Sequence, residues 1–222
     1  MLLYIVSTPI GNLEDITLRA LNILKEVDFV ICEDTRQTRK IMDRYEISAR
    51  LVSFFQHSSG KKLEEIIGQI RDGQKAAYVT DAGTPNISDP GSLLVKTAVE
   101  NGILVIPIPG PSALTAALSA SALDVSRFSF FGFPPAKKGR KKFFQNILGG
   151  EIPVVLYESS HRIIKTLQEI AEFDNLRAVE VFREMTKKFE TIYRGNIENV
   201  LSEIQSKPEN QKGEFVVIIS NF

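Results

Sequence analysis

Four short segments concentrate the residues of this sequence that turn a backbone sharply or carry a hydroxyl or carboxylate. They are Ser7-Thr8-Pro9-Ile10-Gly11-Asn12, Glu33-Asp34-Thr35-Arg36, the stretch from Asp81-Ala82-Gly83-Thr84-Pro85-Asn86-Ile87 to Ser88-Asp89-Pro90-Gly91, and Pro109-Gly110-Pro111-Ser112-Ala113. Each follows an apolar run of strand type. In an open parallel sheet, ligands bind outside the carboxyl ends of the strands, where loops and helix N-termini converge. Taken singly, each segment is ordinary turn chemistry, and Asp89-Pro90 reads as a helix N-cap followed by proline at the first helical position. Four such segments on one sheet edge describe a site, in which Gly83 and Gly110 permit close backbone approach to a ligand. What is missing narrows that ligand. No G-x-G-x-x-G follows the first strand and no G-x-x-x-x-G-K-[ST] occurs, so dinucleotide and P-loop readings lose their mechanism. Without H-E-x-x-H or C-x-x-C, and with only His57 and His161, no metal site is expected. Turn-forming backbone, small hydroxyls and a few carboxylates suit a neutral or zwitterionic ligand with an adenosine end and an amino-acid end.

The elements that must position these loops follow from periodicity. Apolar runs at 2–6, 28–32, 50–54, 76–80 and 103–106 alternate with helical patterns near 15–26, 35–45, 61–72 and 91–101, which predicts a parallel sheet. Leu63, Ile66, Ile67 and Ile70 form an i, i+3, i+4, i+7 stripe. After Pro109-Gly110-Pro111-Ser112 an alanine-rich helix near 112–122 opens a second set. Strands are expected near 127–132, 152–157, 177–183, 189–194 and 214–220, with helices near 137–148, 160–172 and 196–206. Ser159 or Ser160 is placed to cap the second of these helices. No helix separates the strands at 177–183 and 189–194, so this half should be a mixed sheet. The expected organisation is two α/β domains, 1–112 and 113–222.

The 222 residues are 43% hydrophobic and 24% charged, an ordinary globular composition, and the formal net charge is zero. Bulk electrostatic attraction is therefore not the main binding force. The local exception is Lys137-Lys138-Gly139-Arg140-Lys141-Lys142, which any polyanion should touch first. The single cysteine, Cys32, excludes a disulfide framework and points to a reducing compartment. The first residues lack the basic and long apolar regions of a signal peptide, and no apolar run approaches a membrane span, so a soluble cytoplasmic protein is expected.

The residues from Tyr4 to Ala20 and the other three loops resemble the bacterial family that methylates a ribose 2′-hydroxyl of small-subunit ribosomal RNA, within the tetrapyrrole-methylase type of fold. So do Phe131-Gly132-Phe133-Pro134-Pro135, Glu158-Ser159-Ser160-His161-Arg162, Arg183-Glu184-Met185-Thr186-Lys187 and Lys212-Gly213-Glu214-Phe215-Val216. The resemblance spans essentially the whole chain. It implies a homodimer of two α/β domains binding S-adenosylmethionine in the cleft between them, and a cytidine ribose of the decoding region as target. Carried over by position, it implies cofactor contacts from Pro9, Asp81, Ala82, Gly83, Thr84, Ile87, Ser112 and Ala113, with Tyr157 and Phe215 added by the second domain. Asn86 stands where similar enzymes commonly have an aliphatic residue or glycine. Many of them also continue with a helical extension beyond the position of Phe222. If that extension helps hold RNA, a chain without it should bind substrate less tightly.

A ribose hydroxyl is a poor nucleophile when neutral, so a base or cations stabilising the developing alkoxide must be supplied. The candidates are Glu33 and Asp34, then Glu158, His161, Arg162, Arg183, Glu184 and Lys187. Glu184 is the expected proton acceptor, with a pKa raised by burial, and Lys187 and Arg183 are the expected cations. Lys137, Lys138, Arg140, Lys141 and Lys142, with Arg36 and Arg162, are the expected RNA contacts. Two other readings compete. A methylase of a tetrapyrrole carbon has no need of the basic segment in this form, and a non-catalytic ribosomal RNA-binding protein has no need of the four loops.

Overall fold

The computed structural model describes residues 1–55, 60–88 and 91–221, which fall into two compact units, Met1–Ser112 and Ala113–Phe222. The chain of the first unit runs β1 (Leu2–Val6), α1 (Leu18–Glu26), β2 (Phe29–Cys32), α2 (Thr35–Arg44), β3 (Arg50–Ser53), α3 (Gly60–Arg71), β4 (Ala76–Tyr78), α4 (Ser92–Glu100) and β5 (Leu104–Ile108). All five strands are parallel, in the order β3-β2-β4-β1-β5. The interior strands β2 and β4 are buried at every position, as strands covered on both faces must be. Pro107, which cannot donate to a ladder, lies on the edge strand β5.

Right-handed crossovers decide which face each helix covers. The chain moves one way along the sheet through β1, β2 and β3, then reverses to β4 and β5. Accordingly α1 and α2 pack on one face, with Ala20, Leu24, Ile41 and Met42 against Val6, Val30, Cys32 and Ala77. On the other face α3 and α4 place Ile66, Ile70, Leu94 and Ala98 against Leu3, Phe29, Ile31 and Tyr78. The adjacent strands β1 and β4 thus send their helices to opposite faces, which makes the gap between them the switch point of the sheet.

The second unit runs α5 (Ala113–Ser119), β6 (Ser129–Phe130), α6 (Arg140–Leu148), β7 (Val154–Ser159), α7 (Ile163–Phe173), β8 (Ala178–Arg183), β9 (Thr191–Asn196), α8 (Ile197–Gln205) and β10 (Glu214–Ile219). The sheet order is β6-β7-β10-β8-β9, with β6 and β7 parallel and every other pairing antiparallel. Helices α6, α7 and α8 cover one face and the short α5 packs on the other.

Several element ends differ from the expectations. The strand expected at 127–132 keeps only Ser129–Phe130, because Gly132 turns left-handed at φ 61° and two prolines follow. Gly139, at φ 81°, starts α6 at Arg140 rather than near 137. Residues 13–15 form a separate 3₁₀ turn, and Thr17 caps α1 by accepting from the Ala20 N–H. Neither Ser159 nor Ser160 caps α7, whose N-cap position is Arg162 with no side-chain cap bond. The expected cap Asp89-Pro90 and His57 lie outside the described residues. Among the described residues no helix is long and apolar enough to cross a membrane.

Glu180 on β8, 2% exposed, ties the loop after α5 to the sheet. It accepts from Ser121 Oγ (2.5 Å), the Ala122 N–H (3.0 Å) and Arg194 Nε (2.9 Å). Glu180→Ala should leave three donors without their buried acceptor and cost roughly 2 kcal/mol, the exposed Arg194 turning to water while the Ser121 hydroxyl and Ala122 N–H lose their partner. Urea denaturation of parent and variant measures this, and a change within about 0.5 kcal/mol would show the loop to be held by apolar packing alone.

Candidate active site

The loops after β1, β4 and β5 are stitched together across the switch point. Thr8 and Gly83 exchange both backbone hydrogen bonds (2.9 and 3.0 Å), one rung of antiparallel ladder just beyond the parallel strands. Thr8 Oγ1 donates to Thr80 O at 3.0 Å. Thr84 Oγ1 donates to Pro111 O at 2.9 Å, so its only proton is used, and the 3.0 Å contact with Ser7 Oγ must be donated by Ser7. The β2 loop joins through its backbone, where the Asp34 N–H donates to Asp81 Oδ1 at 3.1 Å. All four decorated loops of the first unit are therefore hydrogen-bonded to at least one other, and the result is a rigid edge rather than four independent turns.

Gly83 and Gly110 are among the glycines of this edge that have no room for a side chain. A Cβ at Gly110 would stand 2.9 Å from Ser7 Cβ, and Gly83, at φ 84°, would bring one to 3.3 Å from Ile10. Asn86 also adopts the left-handed region, at φ 70°, which asparagine tolerates better than an aliphatic residue does. Its presence there is turn chemistry. Asp81, Ala82 and Ile87 are exposed on this edge, Thr84 and Ser112 half-buried, and Pro9 and Gly83 buried.

Asp34 is the N-cap of α2, accepting from the Arg36 N–H at 2.8 Å, and grips the Arg36 guanidinium through both oxygens. The Arg36 bonds hold its carboxyl well below the usual carboxylate range, at about 2. Glu33 is half-buried beside it. Asp34 is thus a capping, charge-holding group and a feeble base, and Arg36, although its side chain is 88% exposed, is already an ion-pair partner.

In the second unit the basic segment divides. Lys137, Lys138, Lys141 and Lys142 are solvated, but Arg140 is buried and leaves the set of expected RNA contacts. Its guanidinium bonds Glu169 (2.6 Å), Pro135 O (2.9 Å) and Thr166 Oγ1 (2.6 Å). The position results from α6 beginning at Arg140, which turns that residue inward while its neighbours face water. Glu158 is equally committed, accepting from Thr166 Oγ1 (2.6 Å), the Ser159 N–H (2.8 Å) and Arg162 (2.9 Å), so it is no base for a substrate. Arg162 also donates to Pro134 O at 2.9 Å. Thr166 and Glu169, which complete this network, carry no sequence signal beyond their places on α7. His161 is exposed.

Arg183 leaves the set of charge-stabilising groups as well. Its guanidinium is bonded to Lys212 O, Phe189 O and Glu209 O at 2.7–3.0 Å and fastens the surrounding loops. Next to it Lys187 Nζ lies 2.9 Å from Glu184 Oε1 and 2.7 Å from Glu214 Oε2, and the Glu214 N–H donates to Glu184 Oε1 at 3.0 Å. Glu184 and Thr186 both hold left-handed backbone, at φ 51° and 66°, strain of the kind that collects at functional sites. Burial pushes the Glu184 carboxyl up, but the bonds from Lys187 and the Glu214 N–H, with the Lys187 and Arg183 charges, lower it overall. The expectation of a raised pKa is corrected by this geometry. For Lys187, burial acts downward and the bonds to Glu214 and Glu184 outweigh it, so the ammonium stays charged. Of the remaining expected residues, Phe215 has its ring buried in the core and its backbone paired on both sides, so its side chain is not offered to a ligand. Tyr157 is half-buried, with its hydroxyl accepting from the Leu114 N–H at 3.1 Å, and Ala113 begins α5.

A sheet with its switch point dressed in this way, followed by a second α/β unit of mixed sheet, defines a class that the comparisons identify. Residues 2–201 match the Tetrapyrrole (Corrin/Porphyrin) Methylases. The chain is 43% identical over 219 residues to ribosomal RNA small subunit methyltransferase I of Escherichia coli O157:H7, covering 98% of this chain and 77% of that protein. It is 42% identical over 218 residues to the protein of the same name from Thermotoga maritima, covering 98% and 97%. The crystal structure of diphthine synthase superposes with a TM-score of 0.75 at 17% identity, over 99% of this chain and 90% of that one, a likeness of fold alone. The chain belongs to the tetrapyrrole methylase family and, within it, to the family of ribosomal RNA small subunit methyltransferase I.

The depressed Asp34 pKa has a defined pH consequence. The unfolded carboxyl titrates near 3.9, so the folded-state preference for its ionised form is fully present above about pH 4 and is lost as pH falls towards about 2. Carboxyl NMR should place the Asp34 midpoint near 2 and, in Arg36→Ala, closer to the ordinary value. A midpoint above 4 in the parent would return Asp34 to the candidate bases.

Proposed function

We propose that this chain uses S-adenosylmethionine to methylate the 2′-hydroxyl of a cytidine ribose in the decoding region of small-subunit ribosomal RNA, acting in the cytoplasm as a homodimer. The observation that carries the reading is the identity of over 40% along nearly the whole chain to enzymes named for small-subunit ribosomal RNA methylation. The stitched edge of the first unit supports it, because that edge suits the cofactor. Gly83 and Gly110 let the loops after β1, β4 and β5 close tightly on one another, and Asp81, Ala82 and Ile87 lie open on the edge so formed. Pro9, Thr84, Ser112 and Ala113, with Tyr157, complete the residues proposed to hold it.

When bound, the cofactor supplies a methyl group activated on a sulfonium. The protein must align the ribose oxygen in line with that group and manage the proton and charge on the oxygen. Lys187 suits the second task. It is held charged by Glu184 and Glu214, and a fixed cation stabilises a developing alkoxide without reorganising. Glu184 is ionised at neutral pH, positions Lys187 and is the proposed proton acceptor. Lys137, Lys138, Lys141 and Lys142 are the proposed phosphate contacts.

The reading is tested by calorimetry with S-adenosylmethionine, expected to show about one cofactor per chain, and by single-turnover methyl transfer to small-subunit RNA with mapping of the product. A folded protein that binds no cofactor at millimolar concentration would overturn it. Glu184→Gln should slow transfer by about 10²-fold with cofactor and RNA affinity retained. Because the Glu184 pKa is lowered, the parent rate should not titrate through this group between about pH 6 and 8. Near-parent transfer by Glu184→Gln would leave Glu184 as the structural partner of Lys187.

Charge release gives an independent measurement. Alanine at Lys137, Lys138, Lys141 and Lys142 together should reduce the slope of log affinity against log salt by roughly three for single-stranded contacts, while cofactor affinity is retained. An unchanged slope would assign these lysines to solvent.

A further inference from the structure

The segment Phe131-Gly132-Phe133-Pro134-Pro135 has no task in the scheme above, yet it exposes two aromatic rings, Phe131 at 45% and Phe133 at 51%. An apolar ring left in water gains nothing by burial and is informative only where something fixes it. Phe133 is fixed. Its ring meets Tyr157 edge-on, with centroids 5.7 Å apart and planes at 65°, and the Arg162 guanidinium lies 5.8 Å from its centroid.

The backbone carrying the ring is fastened on both sides. Before it, the Phe131 N–H donates to Val155 O (3.1 Å) and the Tyr157 N–H to Gly132 O (2.9 Å). After it, Arg162 donates to Pro134 O and the buried Arg140 to Pro135 O, both at 2.9 Å. These two arginines converge on the buried Glu158, so the brace is anchored in the core of the second unit. A few residues further on come the solvated Lys137, Lys138, Lys141 and Lys142. A rigid, half-exposed ring backed by a guanidinium and followed by free cations is the chemistry that recognises a single strand of nucleic acid: the base stacks and the phosphates are paired.

We propose that Phe133 is the seat on which an unpaired base of the RNA substrate stacks, with Arg162 as its positioning residue and the lysines holding the flanking phosphates. The inference rests on the RNA-methylating reading and adds how that substrate is gripped. A second copy of the chain is a poorer occupant, because a self-complementary contact here would bring two sets of lysines towards each other.

The probe is an RNA hairpin with 2-aminopurine in its single-stranded loop, titrated into the parent, Phe133→Leu and Phe133→Trp. The parent should quench the fluorophore by stacking. Phe133→Leu should lose the quench, bind the hairpin about tenfold more weakly and raise the RNA KM, with cofactor affinity retained, and Phe133→Trp should restore quench and affinity. Unchanged quench and affinity in Phe133→Leu, in a preparation whose parent methylates RNA, would overturn the stacking seat alone. So would a change of sedimentation mass in that variant, which would assign the ring to a contact between copies, or a loss of cofactor affinity with RNA binding intact. A parent that neither binds the hairpin nor transfers methyl would overturn the RNA reading itself.

Discussion

The two helices that follow the neighbouring strands β1 and β4 leave to opposite faces of the sheet, and the organisation of the first unit follows from that divergence. Right-handed crossovers force it once the chain reverses direction after β3. Among the described residues no helix closes the gap beyond the ends of these strands, so the backbone must satisfy itself or a ligand must. It satisfies itself in part, through the Thr8–Gly83 rung and the Ser7–Thr84–Pro111 chain of hydroxyls. What remains is an edge of small residues and bare backbone held at fixed geometry, suited to a small polar ligand that must be oriented rather than merely bound.

In the second unit, buried charge does the positioning. Arg140, Glu158 and Thr166 are almost wholly buried, and each has its polar atoms engaged. Such a network is weak evidence for stability, since desolvation offsets most of its attraction, but it fixes geometry well. Here it fixes the turn before α7, the start of α6 and the two prolines after Phe133. The same segment therefore supplies both an anchor, Arg140, and a solvated cationic surface.

The groups around Glu184 show why a lysine next to two carboxylates is better read as a charge than as a base. Each carboxylate that approaches Lys187 stabilises its ammonium, and Lys187 in turn holds Glu184 ionised. The arrangement pairs a weakly basic carboxylate with a fixed positive charge, so a bound oxygen is helped chiefly by stabilising its negative charge as its proton leaves. Glu184 and Thr186, in left-handed conformation between β8 and Lys187, flank Met185, which packs on the core, and together they keep the three charged groups in register.

Sequence by itself determined the alternation of strands and helices, the parallel character of the first sheet and the mixed character of the second. It also marked the four loops, because strand period, helix period and turn residues are local properties written in a few neighbouring positions. Asp34, which the sequence offers as a candidate base, is shown only by the folded chain to be the N-cap of α2 and the partner of Arg36. Tertiary structure decided which charges are free. Arg140 stands among four lysines and reads as one more surface cation, and only the packing of α6 against α7 turns it inward onto Glu169 and Thr166. Arg183 reads as a cation poised for substrate, and only the loops at Phe189, Glu209 and Lys212 show that its donors are already taken. The Glu184 pKa moved opposite to expectation for the same reason: burial is visible in apolar neighbours along the chain, whereas the Glu214 N–H and ammonium that outweigh it arrive from residues distant in sequence or from a strained turn. Electrostatic roles depend on which groups meet in space, and that is set by the packing of elements rather than by the spacing of residues within them.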